Sequence, residues 1–413
     1  MSEHQIRTEC RLCGSADLNE ALSLAPTPPA NAFQATRSAA CGQVRYPLTL
    51  RHCAKCGHLQ LVDVIDPEVL FRDYVYVSGT SPSFVAHFKR YAESVSDRLG
   101  LGGDDLVVDI GSNDGTFLRQ FADMGCRVLG IDPAEKIAEA ATESGIPTRC
   151  AFFDSDLAKS IKAEHGPASL VSANNVFAHI DDLAGVVAGV REVLGDSGLF
   201  VFEVSYLVSV VEGTLFDTIY HEHLDYHRVG PLRKFFARHG MTLVDIERVD
   251  SHGGSLRGYA RLGDQPASDA VVAAEVAEQA MGLDDAATFR KFQARIDRTG
   301  TELSALLNGL VSAGKTVAAY GAPAKATTLM HQFGLDERVI RYVIDDSPLK
   351  QNLFTPGLGI PVVASDVLKT DPPDYLVLLA WNFADPIIQK SQDYLATGGR
   401  FIVPLPTLQI RES

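Results

Sequence analysis

The sequence predicts an α/β protein with three domains, the second and third of which contain Rossmann-like sheets. Short apolar runs alternate with helical patterns over residues 85–205, and the alternation returns from residue 315 onward. This pattern is typical of parallel sheets that are covered by helices on both faces. The first 75 residues carry close cysteine pairs and clustered prolines instead. We therefore expect domains at residues 1–75, 76–260 and 261–413.

Individual runs define the elements of the two sheets. In the second domain they predict strands at Leu106–Ile110, Arg127–Ile131, Ser169–Ala173 and Leu199–Phe202, and helices at Thr116–Met124 and Ala134–Ser144. From about residue 266 to 308 the pattern is helical, with alanine, leucine and charged residues. In the third domain the runs predict strands at Lys315–Tyr320, Arg341–Ile344, Tyr375–Leu379 and Arg400–Val403, and a helix at Ala322–Phe333. No internal repeat is apparent.

Composition and charge narrow the classes of function. The chain has 413 residues, of which 46% are hydrophobic and 22% charged, so it can bury an ordinary core. Its net charge of −15 argues against a nucleic-acid-binding surface, although one basic pocket remains compatible with it. No apolar run reaches the length of a membrane helix, and the polar stretch Met1–Glu9 does not resemble a secretory signal. We expect a cytoplasmic protein without nucleic-acid or membrane partners.

Four of the seven cysteines form two C-x-x-C pairs, Cys10 with Cys13 and Cys53 with Cys56. Four thiolates suit a tetrahedral structural zinc ion, and a full set of protein ligands leaves no position open for catalysis. A redox pair, or two unrelated buried pairs, is the alternative. The other cysteines, which we expect in the core, are Cys41, Cys126 and Cys150.

A glycine loop, Asp109–Gly115, follows the first strand of the second domain. A nicotinamide site more often has the pattern G-x-G-x-x-G, with phosphate bound by the helix amides. This loop instead carries acidic residues at its head and at Asp114, which suits a positively charged ligand such as S-adenosylmethionine. Asp132 ends the next strand, where a carboxylate can accept both ribose hydroxyls. The expected cofactor contacts are Asp109, Gly111, Asn113, Gly115, Asp132, Phe153 and Asn174.

The segment Phe216–His227 contains three of the twelve histidines. His221 and His223, together with Glu222, are one possible metal site, but a helical metal motif needs histidines four residues apart. Proton chemistry is the alternative, because imidazole titrates near neutral pH. We favour a general base, since the segment follows a strand end, where such sheets place substrates. Other polar residues expected along the same cleft are Tyr74, Tyr76, Asn174, Asn175, His179, His252 and Arg257.

Together these motifs resemble the nucleotide-sugar C-methyltransferases, in particular the C-3 methyltransferases that act on 4-keto-deoxysugars. The resemblance spans essentially the whole chain and continues through Tyr320–Ala326, Asp345–Pro348 and Ala380–Asn382. It implies a structural zinc domain, a class I methyltransferase domain that binds S-adenosylmethionine, and a C-terminal domain that helps to anchor the nucleotide-sugar. It also favours a monomer.

The resemblance implies that His223 is the base. This residue removes the hydrogen that the neighbouring 4-keto group acidifies, and the resulting enolate takes the methyl group. The implied partners in this step are its neighbours Glu222 and Tyr220, the tyrosine Tyr76 for proton transfer or enolate support, with Tyr74 as the second choice, and the substrate contact His179.

Lys325 is a candidate phosphate ligand, because it begins a helix directly after a strand. The third domain lacks the glycines of a dinucleotide fingerprint, so nicotinamide is not expected there. Three other functions stay open: methyl transfer to oxygen or to a non-sugar, a zinc-containing NAD-dependent oxidoreductase or epimerase, and a non-catalytic binding module. The sequence does not distinguish dTDP, GDP and CDP as the attached nucleotide. It also leaves open the sugar, an amino group on it, and the stereochemical outcome.

Overall fold

The computed structural model describes residues 3–72, 78–80, 82–251 and 253–412. Within these ranges the strands form sheets of two, four, seven and six strands, and helices cover the two larger sheets. The predicted α/β class with a cysteine-bearing N-terminal domain is confirmed. No helix in the described ranges is both long enough and apolar enough to cross a membrane. Tyr74, Tyr76 and His252 lie outside the described residues.

The N-terminal domain contains an antiparallel sheet and a small two-stranded ladder. Its elements are β1 (His4–Ile6), β2 (Leu18–Thr27), α1 (Arg37–Cys41), β3 (Tyr46–Cys53), β4 (Leu59–Leu61), β5 (Asp63–Ile65) and α2 (Pro67–Phe71). β2, β3 and β4 pair in sequence order, and β1 pairs with β5. The edge beside β4 is completed by Asp225–Tyr226 from the histidine-rich segment. The cysteine domain and that segment therefore share one sheet.

The middle domain is a seven-stranded sheet between helices. Its elements are α3 (Pro82–Leu99), β6 (Leu106–Ile110), α4 (Thr116–Asp123), β7 (Arg127–Asp132), α5 (Glu135–Glu143), β8 (Thr148–Cys150), α6 (Ser155–His165), β9 (Ala168–Asn174), α7 (Leu183–Val193), β10 (Leu194–Ser205), α8 (Leu207–Gly213), β11 (Asp225–Tyr226), α9 (Val229–Arg238), β12 (Met241–Val249) and β13 (Ser255–Leu262). A 3₁₀ turn at Phe216–Thr218 precedes β11.

The strand order of this sheet is β12-β13-β10-β9-β6-β7-β8. β6 to β10 are parallel, whereas β13 runs antiparallel to both β10 and β12. The chain winds from β6 towards β8 on one side and from β9 to β10 on the other. The switch point therefore lies between β6 and β9, and such sheets bind ligands outside the carboxyl ends of the strands there.

The C-terminal domain has a second doubly wound sheet, with the strand order β16-β15-β14-β17-β18-β19. All pairs are parallel except β18 with β19. Its elements are α10 (Asp269–Ala280), α11 (Ala286–Ser312), β14 (Val317–Tyr320), α12 (Ala324–Phe333), β15 (Val343–Ile344), β16 (Val362–Val363), α13 (Val367–Thr370), β17 (Tyr375–Leu378), α14 (Ala384–Lys390), α15 (Gln392–Ala396), β18 (Arg400–Val403) and β19 (Gln409–Arg411). A 3₁₀ turn at Trp381–Phe383 follows β17.

The helical pattern over residues 266–308 is confirmed as two helices, α10 and α11, which are separated where Gly282 adopts φ +66° and Asp285 caps the start of α11. One sequence expectation needs correction. Of the three cysteines expected in the core, Cys126 is buried but Cys41 and Cys150 are exposed. Cys150 lies on β8, the edge strand of its sheet, and Cys41 ends the short α1.

Candidate functional site

The four cysteines of the two C-x-x-C pairs meet in the N-terminal domain. Their sulfur atoms lie within 4.8 Å of one another, with Sγ of Cys10 3.6 Å from Sγ of Cys56 and Sγ of Cys13 3.5 Å from Sγ of Cys53. A tetrahedral site with zinc–sulfur bonds of about 2.3 Å has sulfurs about 3.8 Å apart. Each of these two short sulfur–sulfur contacts joins a cysteine of the first C-x-x-C pair to a cysteine of the second. A redox pair would bring together the two cysteines of one C-x-x-C pair, so the arrangement fits one zinc ion better.

The electrostatics of this cluster also favour a cation. The hydrogen bond with Cys56, followed by burial, raises the pKa of Cys10, and burial raises the pKa of Cys53 to about 11, whereas the hydrogen bond with Cys10 lowers the pKa of Cys56 to about 4. Several buried thiolates repel one another, and a divalent ion removes this obstacle to their ionisation. In the part of the chain that the structure describes, these cysteines are the one group of His, Cys, Asp and Glu side chains with metal-ligand spacing.

The glycine loop lies at the switch point of the seven-stranded sheet. Gly111 has a φ of +68°, and a Cβ atom there would lie 2.3 Å from Cγ2 of Val176. Gly115 has a φ of +75° and is the N-cap of α4, where a Cβ would lie 2.9 Å from Ile146. Gly111 therefore keeps the cleft wall open, while Gly115 permits the tight entry into the helix.

Acceptor groups surround this loop. Asp109 accepts hydrogen bonds from Oγ of Ser172 at 2.6 Å and from Nδ2 of Asn174 at 3.4 Å. Burial raises the pKa of Asp109 to about 7. Oδ1 of Asn174 is buried and has no hydrogen-bond partner among the described residues, so it is an acceptor suited to a ligand donor.

Asp132 stands at the end of β7, as the sequence predicted. Its carboxylate accepts the backbone N–H groups of Asn113 and Ala134, each at 2.9 Å. A carboxylate has about four lone-pair directions, so capacity remains for ribose hydroxyls. Phe153 is buried, Phe152 is 40% exposed, and both line the cleft. Acidic groups for a cation, a ribose acceptor and aromatic rings for adenine together fit S-adenosylmethionine.

The cleft has a volume of about 1970 Å³. A single small-molecule site is usually about 300–1,000 Å³, so the cleft has room for a cofactor and a second ligand. It brings together most of the predicted site residues that the structure describes, and those on its wall are Asp109, Gly111, Asn113, Asp132, Phe153, Asn174, Asn175, His179, Tyr220, His223, Arg257 and Lys325.

His223 is held in one orientation by its neighbours. Its Nδ1 donates a hydrogen bond to the carbonyl oxygen of Thr218 at 2.7 Å. A carbonyl only accepts, so Nδ1 carries the proton, and Nε2 carries the lone pair in the neutral ring. The ring stacks on His179 with a centroid distance of 5.0 Å, and the tilted ring of Tyr220 lies 4.0 Å from it, centroid to centroid. Burial, and then the charge of His223, keeps the pKa of His179 well below its ordinary value.

Glu222 and His221 are adjacent residues of one turn, and both bond to the N-terminal domain. Oε1 of the buried Glu222 accepts a hydrogen bond from Nδ2 of Asn31 at 2.8 Å. Nε2 of His221 donates to the carbonyl oxygen of Pro47 at 3.1 Å. Because His221 and His223 bond to different parts of the chain, the structure gives no support to a metal site shared by the two histidines.

His221 makes the protein sensitive to acid. Burial lowers its pKa to about 4, whereas the ordinary value is about 6.5. As the pH falls from about 6.5 to 4, His221 therefore binds a proton in the unfolded chain but stays neutral in the folded chain. The free energy of unfolding decreases by up to about 3 kcal/mol over this range. We expect His221→Asn to flatten this part of the stability profile, measured as urea midpoints at several pH values. His165→Asn, on the surface of α6, is the control, and an unchanged slope in His221→Asn would contradict the assignment.

Arg257 lies on the cleft wall with its donors engaged. Nη2 donates to Oε2 of Glu203 at 2.9 Å, and Nη1 donates to Oε2 of Glu247 at 3.1 Å. The guanidinium also lies 3.6 Å from the ring centre of Tyr91. His87 bonds to the other oxygen of Glu203 at 2.9 Å, and these contacts with Arg257 and His87 hold the pKa of Glu203 at about 2 despite its burial. Arg257 is therefore part of a closed ionic cluster.

Lys325 reaches the cleft from the C-terminal domain, at the start of α12. Its Nζ donates to Oδ1 of Asn382 at 2.6 Å and lies 4.0 Å from the ring centre of Trp381. Burial lowers the pKa of Lys325, and the nearby Asp217 opposes this shift. Asp345 uses its carboxylate to hold the N–H groups of Ala322 and Ser347, so it caps the loops rather than presenting the open ribose acceptor of a dinucleotide site.

Several residues on the cleft wall were not assigned to the site from sequence, among them Asn31, His87 and Trp381. Asn31 follows the clustered prolines, and His87 lies on α3 before the first predicted strand of the sheet, so neither had a local motif around it. Trp381 lies in the motif Ala380–Asn382 and is the sole tryptophan in the sequence. Its rarity was the one sequence signal that could have marked it as a site residue.

Comparison with known proteins assigns families to three parts of the chain. Residues 10–71 match a zinc binding domain, residues 85–246 match a methyltransferase domain, and residues 250–406 match the C-methyltransferase C-terminal domain. The chain is also 38% identical over 400 residues to the C-methyltransferase NovU of Streptomyces niveus, covering 96% of this chain and 95% of that protein.

Similar solved structures cover less than half of the chain. One is the magnesium protoporphyrin IX methyltransferase of Synechocystis PCC 6803 with bound S-adenosylmethionine, at 15% identity over 49% of this chain and 99% of that chain, with a TM-score of 0.36. Another is an S-adenosylmethionine-dependent methyltransferase of Clostridium acetobutylicum, at 12% identity over 43% of this chain and 91% of that chain, with a TM-score of 0.34.

Proposed function

Since the chain belongs to the C-methyltransferase family, we propose that it methylates a nucleotide-linked 4-keto-deoxysugar at C-3. It is an S-adenosylmethionine-dependent C-methyltransferase with a zinc-binding domain. The acceptor and the position of the new methyl group are the proposal. The nucleotide-sugar would occupy the half of the cleft between His223 and Lys325, and the protein would act as a monomer.

The orientation of His223 supports this proposal best. Its Nδ1 donates to the Thr218 carbonyl, so Nε2 can accept a proton without any change of tautomer. A carbon nucleophile requires such a base, because the acceptor carbon must lose a proton before it can attack. The adjacent ketone makes that proton removable, which is why a 4-keto sugar suits this site better than a simple alcohol.

The residues around His223 have matching roles in this mechanism. Nε2 of His223 takes the proton from the carbon beside the ketone, and the negative charge moves to the ketone oxygen. The candidate donors to that oxygen are Tyr220 and His179, whose rings both contact the base, and Tyr76. Asp109, Asn174 and Asp132 would hold S-adenosylmethionine, which supplies a sulfonium-activated methyl group when bound. Glu222 supports the turn that carries the base.

The test is a direct assay with a panel of acceptors. The full-length protein is incubated with S-adenosylmethionine and dTDP-, GDP- and CDP-linked 4-keto-deoxysugars, and products are analysed by mass and NMR. A new carbon-bound methyl at C-3 is the expected result. Matched sugars whose C-4 ketone has been reduced to an alcohol should not react. Methyl transfer to oxygen, or equal transfer to the reduced sugars, would contradict the proposed function.

The raised pKa of Asp109 predicts that binding of the cofactor is linked to the release of a proton. With a pKa of about 7, this carboxyl is about half protonated at pH 7. A cationic ligand in the cleft favours the ionised form, so binding of S-adenosylmethionine should release roughly half a proton at pH 7. Calorimetry in phosphate and in Tris buffer measures this release, because the two buffers differ in ionisation enthalpy.

Two controls make the cofactor measurement specific. S-adenosylhomocysteine lacks the sulfonium charge and should release less of the proton. In Asp109→Asn the heats of binding should no longer depend on the buffer. If wild-type protein gives equal heats in both buffers, Asp109 does not respond to the cofactor charge.

A further inference from the structure

The 3₁₀ turn Phe216–Thr218 lies between the base and the C-terminal domain. Nε1 of Trp381 donates a hydrogen bond to Oδ2 of Asp217 at 2.6 Å. Next to the turn, Oγ1 of Thr328 on α12 donates to the carbonyl oxygen of Ile219 at 2.7 Å. The rings of Phe216 and Phe333 also pack at 4.9 Å. The C-terminal domain therefore contacts this turn and the residue after it at three positions, Phe216, Asp217 and Ile219.

Asp217 is the charged member of this contact and is completely buried. A buried carboxylate is costly unless donors and positive charge compensate it. The indole N–H supplies one donor, and Lys325 supplies the positive charge, which acts on the pKa of Asp217 against the effect of burial. Trp381 thus has Asp217 at its N–H edge and Nζ of Lys325 over its ring face, 4.0 Å from the ring centre.

The next residue of the same turn orients the base. The carbonyl oxygen of Thr218 accepts the Nδ1–H of His223 at 2.7 Å. A rotation of this carbonyl would remove the acceptor that keeps the proton on Nδ1. The path from Lys325 to His223 therefore runs through Trp381, Asp217 and the backbone of Thr218.

We propose that Asp217 is a positioning residue, which couples ligand binding at the C-terminal crevice to the orientation of His223. Lys325 lines the cleft at the N-terminus of α12, where the helix favours anions. A diphosphate bound there competes with Asp217 for the positive charge of Lys325. The turn Phe216–Thr218 then shifts, and with it the Thr218 carbonyl that orients His223. This inference rests on the proposed function in taking His223 as the base and a nucleotide diphosphate as the ligand beside Lys325.

The test uses full-length protein labelled with ¹⁵N-histidine, without any acceptor. His223 signals are assigned from their loss in His223→Gln. Wild type should show a protonated Nδ1 and an unprotonated Nε2. Asp217→Asn retains an acceptor for the indole but removes the charge, whereas Trp381→Phe retains the ring and removes the donor. Both variants should show a mixture of tautomers at His223. The control Tyr375→Phe, on β17 away from the turn, should keep the wild-type signals.

Nucleotide binding supplies the second measurement. Trp381 is the sole tryptophan of the sequence, so its fluorescence reports ligand at the crevice. A nucleotide among dTDP, GDP and CDP that changes this fluorescence should also shift the His223 signals in wild type, but not in Asp217→Asn. With a confirmed acceptor, both variants should lower kcat by about tenfold, the loss expected for one charge-assisted hydrogen bond, with little change in KM.

The outcomes separate this inference from the proposed function. If folded Asp217→Asn and Trp381→Phe keep the wild-type His223 signals, or if a bound nucleotide leaves them unchanged in wild type, the coupling is wrong. Trp381→Phe decides the question if Asp217→Asn does not fold. If the tautomer behaves as expected but no 4-keto sugar is methylated, the positioning role stands and the proposed acceptor is wrong.

Discussion

Replacing His223 with asparagine is expected to lower the rate of methyl transfer by about 10²–10⁴-fold. Asparagine retains an amide that can donate to the Thr218 carbonyl, but it has no basic nitrogen to accept the proton. Binding of S-adenosylmethionine should remain within about twofold of wild type, because the expected cofactor contacts are on the β6, β7 and β9 side of the cleft. The rate is measured by mass analysis of the product at saturating substrate.

A second measurement isolates the proton-transfer step. In deuterated water without S-adenosylmethionine, wild type should exchange the hydrogen beside the ketone of a 4-keto sugar, and His223→Asn should not. His165→Asn, on the surface of α6, serves as the matched control and should behave as wild type. If His223→Asn retained both exchange and methyl transfer within about threefold of wild type, another group would have to be the base. His179 and Tyr220, whose rings contact that of His223, would be the first candidates.

The centre of the fold was predictable because its signals are local. β6 is buried along its whole length, so its residues Leu106–Ile110 appear as a continuous apolar run. The glycine loop, Asp132 and the cysteine pairs are also recognisable from patterns of a few residues. Both cofactors, S-adenosylmethionine and zinc, were predicted from these patterns. Such features depend on backbone geometry and donor chemistry that short sequence patterns encode directly.

The antiparallel strands β12 and β13 were not predicted. β12 alternates between buried and partly exposed positions only in part, and the first six residues of β13 are all buried. Around the turn between them only His252 and Arg257 were predicted, as residues of the cleft. Gly253 and Gly254 have φ of +92° and +119°, which a reversal of the chain requires. The turn therefore has a structural reason, and Arg257 beyond it belongs to the ionic cluster with Glu203 and Glu247.

The contacts that hold the base could not be predicted because they join residues far apart in sequence. Asn31 bonds to Glu222, and Trp381 bonds to Asp217, across separations of 191 and 164 residues. A strand of two residues, β11, has no periodicity at all, and only its pairing with β4 makes it a strand. Sequence patterns located the histidine-rich segment, whereas its supports became visible only in the folded chain.

β11 also explains why the zinc domain matters to a reaction in which zinc takes no part. Asp225 and Tyr226 pair with Gln60 and Leu59 of β4, directly after the turn that carries His223. The N–H of Leu61 donates to the carbonyl oxygen of Leu224 at 2.8 Å. One side of the base segment is therefore a strand of the sheet that the cysteine cluster stabilises.

Arg11 strengthens this connection from inside the first cysteine pair. Its buried side chain donates to the carbonyl oxygens of Leu61 at 2.7 Å and Leu224 at 3.3 Å. Nε of Arg11 also lies 3.9 Å from the carboxylate of Asp225. Burial would raise the pKa of Asp225, but the positive charge of Arg11 makes the largest contribution to lowering it. A change in the Cys10–Cys13 turn would therefore be transmitted to the residues that follow His223.

We therefore expect Cys10→Ser to abolish both zinc binding and methyl transfer. Small zinc domains gain an apparent folding free energy of about 10–16 kcal/mol from the metal, so losing one thiolate should unfold the N-terminal sheet and release β11. Zinc content, the thermal midpoint and hydrogen exchange of the amides at 224–226 are measured alongside the rate. Cys41→Ser changes an exposed cysteine outside the cluster and should match wild type in all four. If a zinc-free Cys10→Ser protein kept both protected amides at 224–226 and wild-type turnover, the base segment would not depend on the metal. That result would assign the support of His223 to the contacts from the C-terminal domain.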